Sequence, residues 1–415
     1  MPKRSLHPVF LAAVTVLGSI PAYGLGFRVP DQSATAAARG NAFVATADDP
    51  SAVYYNPAGI TQLNGTHALL NGYGIAFNAR VNLEAPGSKD FDNKWDPQAV
   101  PQSFSTYQLF GSPVWFGFGV YVPFGLKNRY ADDVPFRNVA KEGSIEYVTY
   151  NPVLAWKVTE RFSIAAGLTI NHAKASLVQG IFSQGDEFRF EGSDTSFGFN
   201  AGLLWQPHPM HSFGATYVSQ TTMDYRGETV THFEDQHRIV PVAPGVFAPI
   251  TIPGVDGNRH ASARMQFPQH VTAGYSFRPT KNWNIEFDAD WTDWETLNDV
   301  TLKQRHLPDQ KIPFNYNASF LYEVGITRNF GLWHVSAGYI YSQRTVPNEE
   351  FNPAVPDTDR HVFSLGFGRK YDHVSWDVAY QYLWGPERTI DRGTVVDGNY
   401  RFEAHAVSLA LGYHF

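Results

Sequence analysis

Charged side chains set on strands are where this 415-residue sequence offers chemistry. By strand parity Arg80, Lys157, Arg264 and Arg344 are expected to point inward, where a reduced dielectric strengthens a charge-assisted hydrogen bond to a carboxylate. These four are candidate partners for an acidic solute. Glu286, Asp288, Asp290, Glu323 and Asp377 share the inward side and are ready counter-ions for the same bases, so compensation within the protein competes with solute binding. Covalent and redox chemistry is poorly supplied. The chain has no cysteine, which removes thiolate ligands, thiol nucleophiles and disulfides together. Ser212 and the pair Asn171-His172 lie in strand-like sequence with no nucleophile elbow around them, so no enzymatic activity is expected. Asp132-Asp133 and the pair Asp357 and Asp359 are loop carboxylates whose ordinary state is solvated; neither a metal nor a cofactor is expected.

The elements that must hold these residues are strands. From residue 66 to the C-terminus, apolar side chains fall on every second position in segments of roughly ten residues or more. Trp376, Val378, Tyr380, Tyr382 and Trp384 alternate with Asp377, Ala379 and Gln381, and Trp283, Ile285, Phe287, Ala289 and Trp291 alternate with Asn284, Glu286, Asp288 and Asp290. A soluble sandwich and a membrane barrel share this alternation. Aromatic placement separates them: Trp333 with Tyr339 and Tyr341, and Tyr380 with Tyr382 and Trp384, gather at segment ends as in the girdles of membrane interfaces. About fourteen segments can be counted between 66–83 and 396–415. Tight connections near Gly111-Ser112, Thr159-Glu160, Pro279-Thr280 and Tyr371-Asp372 alternate with longer, mostly polar ones. An even strand number, with tight turns toward the periplasm and long loops outside, describes an all-β fold: a transmembrane antiparallel β-barrel of the outer membrane. Val407, Leu409, Leu411, Tyr413 and the terminal Phe415 share one parity, and a last strand ending in Phe resembles the signal read by the barrel-assembly machinery, a partner during biogenesis.

Other classes are excluded by composition. Mean hydropathy is −0.28, and no apolar run beyond residue 30 approaches the roughly 20 residues a membrane helix requires. A net charge of −7 without a long basic run argues against nucleic acid as a partner. Residues 1–24 read as a signal peptide, with Lys3 and Arg4 as the basic end, Val9 to Ile20 as the apolar stretch, and Ala22, Tyr23 and Gly24 before cleavage near Leu25. Residues 25–65 do not alternate. They are rich in Ala, with a helical stretch expected from Ser33 to Ala47, and are assigned to a separate small element ahead of the barrel of residues 66–415.

Within residues 25–65 lie Arg39-Gly40-Asn41-Ala42 and the run from Ala47 through Asp48, Asp49, Pro50, Ser51, Tyr54, Tyr55, Asn56, Pro57, Ala58 and Gly59 to Ile60. Here the chain resembles the FadL-type outer-membrane transporters of long-chain fatty acids, which include TodX-like channels for aromatic hydrocarbons. The family's Asn-Pro-Ala motif is matched by Asn56, Pro57 and Ala58, and the resemblance implies that this turn belongs to a hatch plugging the lumen. The residue types make a rigid turn independently, because Pro57 fixes φ and the Asn56 amide can bond local backbone. A second matching piece is Phe116 to Leu126, similar to the family's third strand, where the resemblance implies a kink that opens the wall sideways. Pro123 removes a ladder donor, and Gly117, Gly119 and Gly125 remove side chains, so imperfect pairing is expected there.

A hydrophobic solute gains nothing by leaving lipid or micelle for a water-filled pore, so a greasy route is required. Val242, Val246, Phe247 and Ile250 make one external loop unusually apolar, and Ile181 and Phe182 lie in another; such loops are candidates for capture. The alternatives are that they pack on one another as a lid or serve adhesion. The expected function is passive uptake of long-chain fatty acids by loop capture, hatch movement and lateral exit near Pro123. The alternatives are a TodX-like hydrocarbon channel, a general porin and a surface adhesin. The other expected partners are outer-membrane lipid and lipopolysaccharide, and the chain is expected to be a monomer.

Overall fold

The computed structural model describes residues 26–83, 90–181, 183, 185–243 and 246–415; for residues 236–243, 246–248, 250 and 252 it describes the backbone path alone. The proposed signal peptide lies outside the described residues.

Fourteen strands close into one antiparallel cylinder. In chain order they are Thr66–Leu83, Gln98–Gln108, Val114–Arg129, Glu142–Thr159, Phe162–Gly180, Glu187–His208, His211–Val218 continued by Thr221–His232, Gly257–Phe267 continued by His270–Thr280, Trp283–Thr292 continued by Asp299–Gln304, Gln310–Pro313 continued by Ser319–Phe330, Trp333–Ser342, Arg360–Lys370, Val374–Ile390 and Gly398–His414. The last strand pairs with the first from His67↔His414 to Leu83↔Gly398, so no long edge is left there to aggregate. Every backbone group in lipid must bond within the protein, and a closed ladder achieves this without helices.

Burial is inverted relative to a soluble protein. On the last strand Leu409 and Leu411 are each 55% exposed, whereas Ala406 and Ser408 between the outward positions are 1% and 2% exposed. The same inversion puts Phe197, Phe199, Leu365 and Phe367 outside and Asn151, Asn171, Asn200 and Ser276 inside. Tight turns fall at one end and long connections at the other. Strands reach 22 residues in Glu187–His208, about twice what a bilayer crossing needs, so the wall stands well above the membrane at the long-loop end. Four neighbouring strands are interrupted at 219–220, 268–269, 293–298 and 314–318. Through the third of these breaks Trp294 turns in and is fully buried.

The chain from Gly26 to Gln62 runs inside the cylinder and touches strands around its circumference. Its regular pieces are short: Ala34–Ala37, Ala52–Tyr55 and the 3-10 turn Pro57–Gln62. The helix expected from Ser33 to Ala47 therefore stops after one turn. Gly40 at φ +62° and Asn41 at φ +57° take the left-handed conformation, and a Cβ on Gly40 would sit 2.7 Å from the Tyr339 amide nitrogen. Close packing on the opposite wall, which a propensity reading does not see, ends the helix.

Candidate functional site

One strand carries more of the polar attachment of the inner segment than any other. Along Trp283–Thr292 every inward side chain is engaged. Asn284 donates to the Thr46 hydroxyl at 2.7 Å. Glu286 accepts from the Ala45 and Thr46 amides at 2.7 and 3.1 Å, from the Thr46 hydroxyl, and from Arg39 at 3.2 Å. Asp288 accepts from the Phe43 and Val44 amides at 2.7 and 2.9 Å. Asp290 forms a two-pronged ion pair with Arg28 at 2.5 and 2.8 Å, and Arg28 also donates to Thr292. Period-two geometry explains this rail: alternate residues of one strand stand in line at about 6.6 Å spacing, so Asp288 and Glu286 each meet one pair of adjacent amides in the turn Phe43 to Thr46.

The Asn56-Pro57-Ala58 turn sits against the strand Glu187–His208. The Asn56 amide donates to the carbonyls of Val44 and Leu203 at 2.8 and 2.9 Å, while its oxygen caps the following turn through the Ala58 amide at 3.2 Å. Pro57 occupies the first position of that turn, where a missing N–H costs nothing. Gly202 makes the approach possible, because a Cβ there would lie 2.8 Å from Pro57 Cδ and would collide with the Asn56 side-chain oxygen.

The strand Val114–Arg129 has a split role. Its lower part pairs with Gln98–Gln108 only from Gln108↔Trp115 to Ser103↔Val120, and its register against Glu142–Thr159 shifts between Tyr121 and Phe124. Beyond Val120 the neighbour on one side is the N-terminal segment. Val29 donates to the Pro123 carbonyl and the Gly125 amide donates to the Phe27 carbonyl, each at 2.8 Å, with Arg28 opposite Phe124. Gln32 adds bonds to both backbone groups of Val122. Pro123 and Gly125 thus line an interruption of the wall, closed above by the Lys94 amide on the Arg129 carbonyl and by the Lys127–Asp96 ion pair. Gly117 and Gly119 do not. They lie in the paired part, and a Cβ on either would meet Val53 at 2.8 or 3.0 Å, so their missing side chains make room for the inner segment.

Phe27 enters an aromatic pocket. Its ring centroid lies 4.6 Å from Trp294, 5.6 Å from Phe267 and 6.3 Å from Phe124, with Tyr147, Tyr225, Met223 and Met265 in the same cluster. Gly26, at φ +64°, passes Trp294 so closely that a Cβ would be 2.9 Å from the indole. Two buried donors of the cluster have no partner, the Tyr225 hydroxyl and the Trp294 indole N–H, while the Tyr147 hydroxyl pairs with that of Thr221 at 2.9 Å.

The four candidate cations are not in this pocket. Arg80 and Arg264 face outward, each beside an aspartate, because the parity inside their strands is opposite to the expected one. Arg344 is exposed in the loop 343–359, and Lys157, although inward, lies half-exposed at the short-turn end beside Glu160. The buried cations that matter are Arg28 and Arg39, which the sequence reading missed. A signal existed: three inward carboxylates stand in line with no inward Lys or Arg on either flanking strand over that stretch, and Arg28 and Arg39 are the cations of the inner segment. Of the loop candidates, Ile181 is half-buried at the end of its strand, whereas Phe182 lies outside the described residues. The backbone around Val242, Val246, Phe247 and Ile250 forms the hairpin Gln236–Ala243 with Val246–Ile252; the side chains of those four also lie outside what is described.

At the short-turn end, Asp49 accepts from the Ser51 amide and hydroxyl while its second oxygen is buried without a partner, and burial pushes its carboxyl up to about 6.

The family model of the outer membrane protein transport proteins (OMPP1/FadL/TodX) matches residues 15–415. The chain is 24% identical to outer membrane protein P1 of Haemophilus influenzae, covering 99% of this chain and all of that one. It is 21% identical to the long-chain fatty acid transport protein of Escherichia coli K12, covering 98% and 97%. In structure it is similar to a FadL homologue of Pseudomonas aeruginosa (TM-score 0.80, 21% identity, 94% and 100% covered) and to the toluene transporter TbuX of Ralstonia pickettii (TM-score 0.72, 16% identity, 93% and 100% covered).

Proposed function

Since the chain belongs to the outer membrane protein transport family (OMPP1/FadL/TodX), a family of outer-membrane transporters of hydrophobic compounds rather than enzymes, we propose that its inner segment is a hatch opened by the cargo itself. One observation carries this reading: the residue that fills the aromatic pocket, Phe27, is also the residue whose backbone seals the wall beside Pro123 and Gly125. An apolar cargo entering from the external loops competes with the Phe27 ring for Trp294, Phe267 and Phe124. Displacing the ring pulls Val29 off the Pro123 carbonyl, and the interruption in the wall becomes a lateral exit into lipid. The step is passive, driven by transfer of apolar surface between apolar surroundings.

Long-chain fatty acids are the primary cargo in this reading. The unspent Tyr225 hydroxyl and Trp294 N–H suit a ligand that ends in a carboxyl group, since buried donors without acceptors are costly to leave unfilled. A second reading, an uncharged aromatic hydrocarbon, is favoured by the Phe27 side chain being a benzyl ring already housed there.

Arg28 and Phe124 face each other as a non-hydrogen-bonded antiparallel pair, the arrangement in which Cβ atoms come close enough for a disulfide. In a chain without other cysteines, Arg28→Cys with Phe124→Cys should therefore block uptake of a labelled fatty acid when oxidised and restore it on reduction. Equal uptake in both states would overturn the gating role.

A further inference from the structure

Arg80, turned out of the lumen, faces another arginine. Arg80 and Arg401 are direct cross-strand partners on the first and last strands, and both point outward. Like charges directly opposite are destabilising on a sheet. A carboxylate stands on each flank, so the row reads Asp92, Arg80, Arg401, Glu387 around the outer wall: Arg80 Nε donates to Asp92 at 2.9 Å, and Arg401 Nε donates to Glu387 at 2.5 Å. Those pairs consume the Nε atoms and leave both Nη groups of Arg401 and one of Arg80 without a partner among the described residues. The side chains stay 47% and 70% exposed, over a groove of about 570 Å³ shared with Asn78, Trp384 and Glu403.

The level of this row on the wall sets it against the apolar band. Below it the outward face of the last strand is Tyr413, Leu411, Leu409 and Val407, each 46–55% exposed, and then His405, bonded to the Tyr380 hydroxyl. Trp384 pairs with Glu403, one row beneath Arg401, so the two arginines stand about 7 Å along the strand above the aromatic girdle. A molecule with acyl chains lying on Leu409 and Leu411 would present its headgroup at the arginines. Paired guanidinium groups with free Nη donors fit the oxygens of a phosphate monoester.

We propose that Arg80 and Arg401 form a binding site on the outer wall for the phosphate of a phosphorylated glycolipid of the outer leaflet, with Trp384 and the leucines beneath receiving its sugar and chains. The site is separate from the route through the lumen.

The test is native mass spectrometry of the detergent-purified protein titrated with hexa-acyl diphosphorylated lipid A and with the same lipid after enzymatic dephosphorylation. We expect one lipid A bound by the wild type, at least tenfold weaker binding of the dephosphorylated lipid, and an equal loss for the Arg80→Gln, Arg401→Gln double variant. Arg264→Gln, also an outward arginine beside an aspartate, should bind as the wild type does. Unchanged affinity in the double variant, or for the dephosphorylated lipid on wild-type protein, would refute the assignment, as would displacement by millimolar inorganic phosphate alone, which would mark a free-anion site. Heat-modifiable electrophoretic mobility checks the fold, and the dephosphorylation arm needs no variant.

Discussion

Removing Asp290 should open the barrel. Arg28 and Asp290 are 3% and 5% exposed and joined by two bonds, so Asp290→Ala leaves a guanidinium buried beside Thr292 with its counter-ion gone. Breaking one side of such a pair costs about 3–5 kcal/mol. The seated state of the segment is otherwise held at this place by burial of the Phe27 ring, about 1.5–3 kcal/mol, and by the two backbone bonds to the wall strand, about 1 kcal/mol each. The penalty matches the remaining hold, and it shifts the seated-to-released ratio by about two to four powers of ten. The released segment hydrates Arg28 and uncovers the wall beside Pro123. Planar-bilayer conductance and uptake of a labelled fatty acid should both rise, and Phe27 should become accessible to protease. The Arg28→Met, Asp290→Leu variant discriminates between causes: exchanging a whole buried pair for apolar side chains is close to neutral, so this variant should stay shut. An Asp290→Ala protein as closed as wild type, or a double variant as open as the single one, would show that the ion pair does not latch the segment.

Four further outcomes are expected. Gly202→Ala forces a methyl against Pro57 and Asn56, so it should lower the thermal midpoint by an amount corresponding to about 1–3 kcal/mol of overpacking and raise basal conductance. Asn56→Ala removes the donor to the buried Val44 carbonyl and to the part-buried Leu203 carbonyl; a loss of about 1–3 kcal/mol, read by denaturant titration of segment release, is expected. Phe27→Ala empties the aromatic pocket and should tighten binding of a fluorescent apolar probe while weakening the seal. Asp49 has a folded pKa raised by burial to about 6. Its protonated form favours the docked segment, so that contribution is complete below about pH 4, the ordinary carboxylate range, and is lost as pH rises through about 6. Limited proteolysis between pH 5 and 7 should show faster cleavage near Pro50 at the higher pH, and Asp49→Asn should abolish the difference.

The class of fold was legible in the sequence because a barrel wall repeats one rule, with lipid-facing and lumen-facing residues alternating, and Leu409, Leu411 and Phe415 obey it as plainly in sequence as in space. The inward carboxylates Glu286, Asp288 and Asp290 were legible for the same reason. Parity failed where the inward face is itself apolar, as with Tyr73, Ile75, Phe77 and Val81 on the unbroken first strand and Ala263 and Met265 beside Arg264, so that greasy side chains no longer mark the lipid side. One misplaced residue exchanges the faces, and Arg80 and Arg264 came out on the wrong side, while Arg344 lies past the end of its strand. Gly117 and Gly119 were read as a gap because sequence cannot tell a missing side chain that weakens a ladder from one that admits Val53.

The sequence by itself determined the repeating elements: strand number, the inverted exposure and the Asn56-Pro57 turn, all set by local chemistry over a few residues. Only the tertiary structure decided which groups meet. Arg28 finds Asp290 across 262 positions, and Phe27 meets Trp294 where the third break of the sheet turns the indole inward. Pairing at such separations depends on the curvature of the whole wall, which no short window of residues encodes.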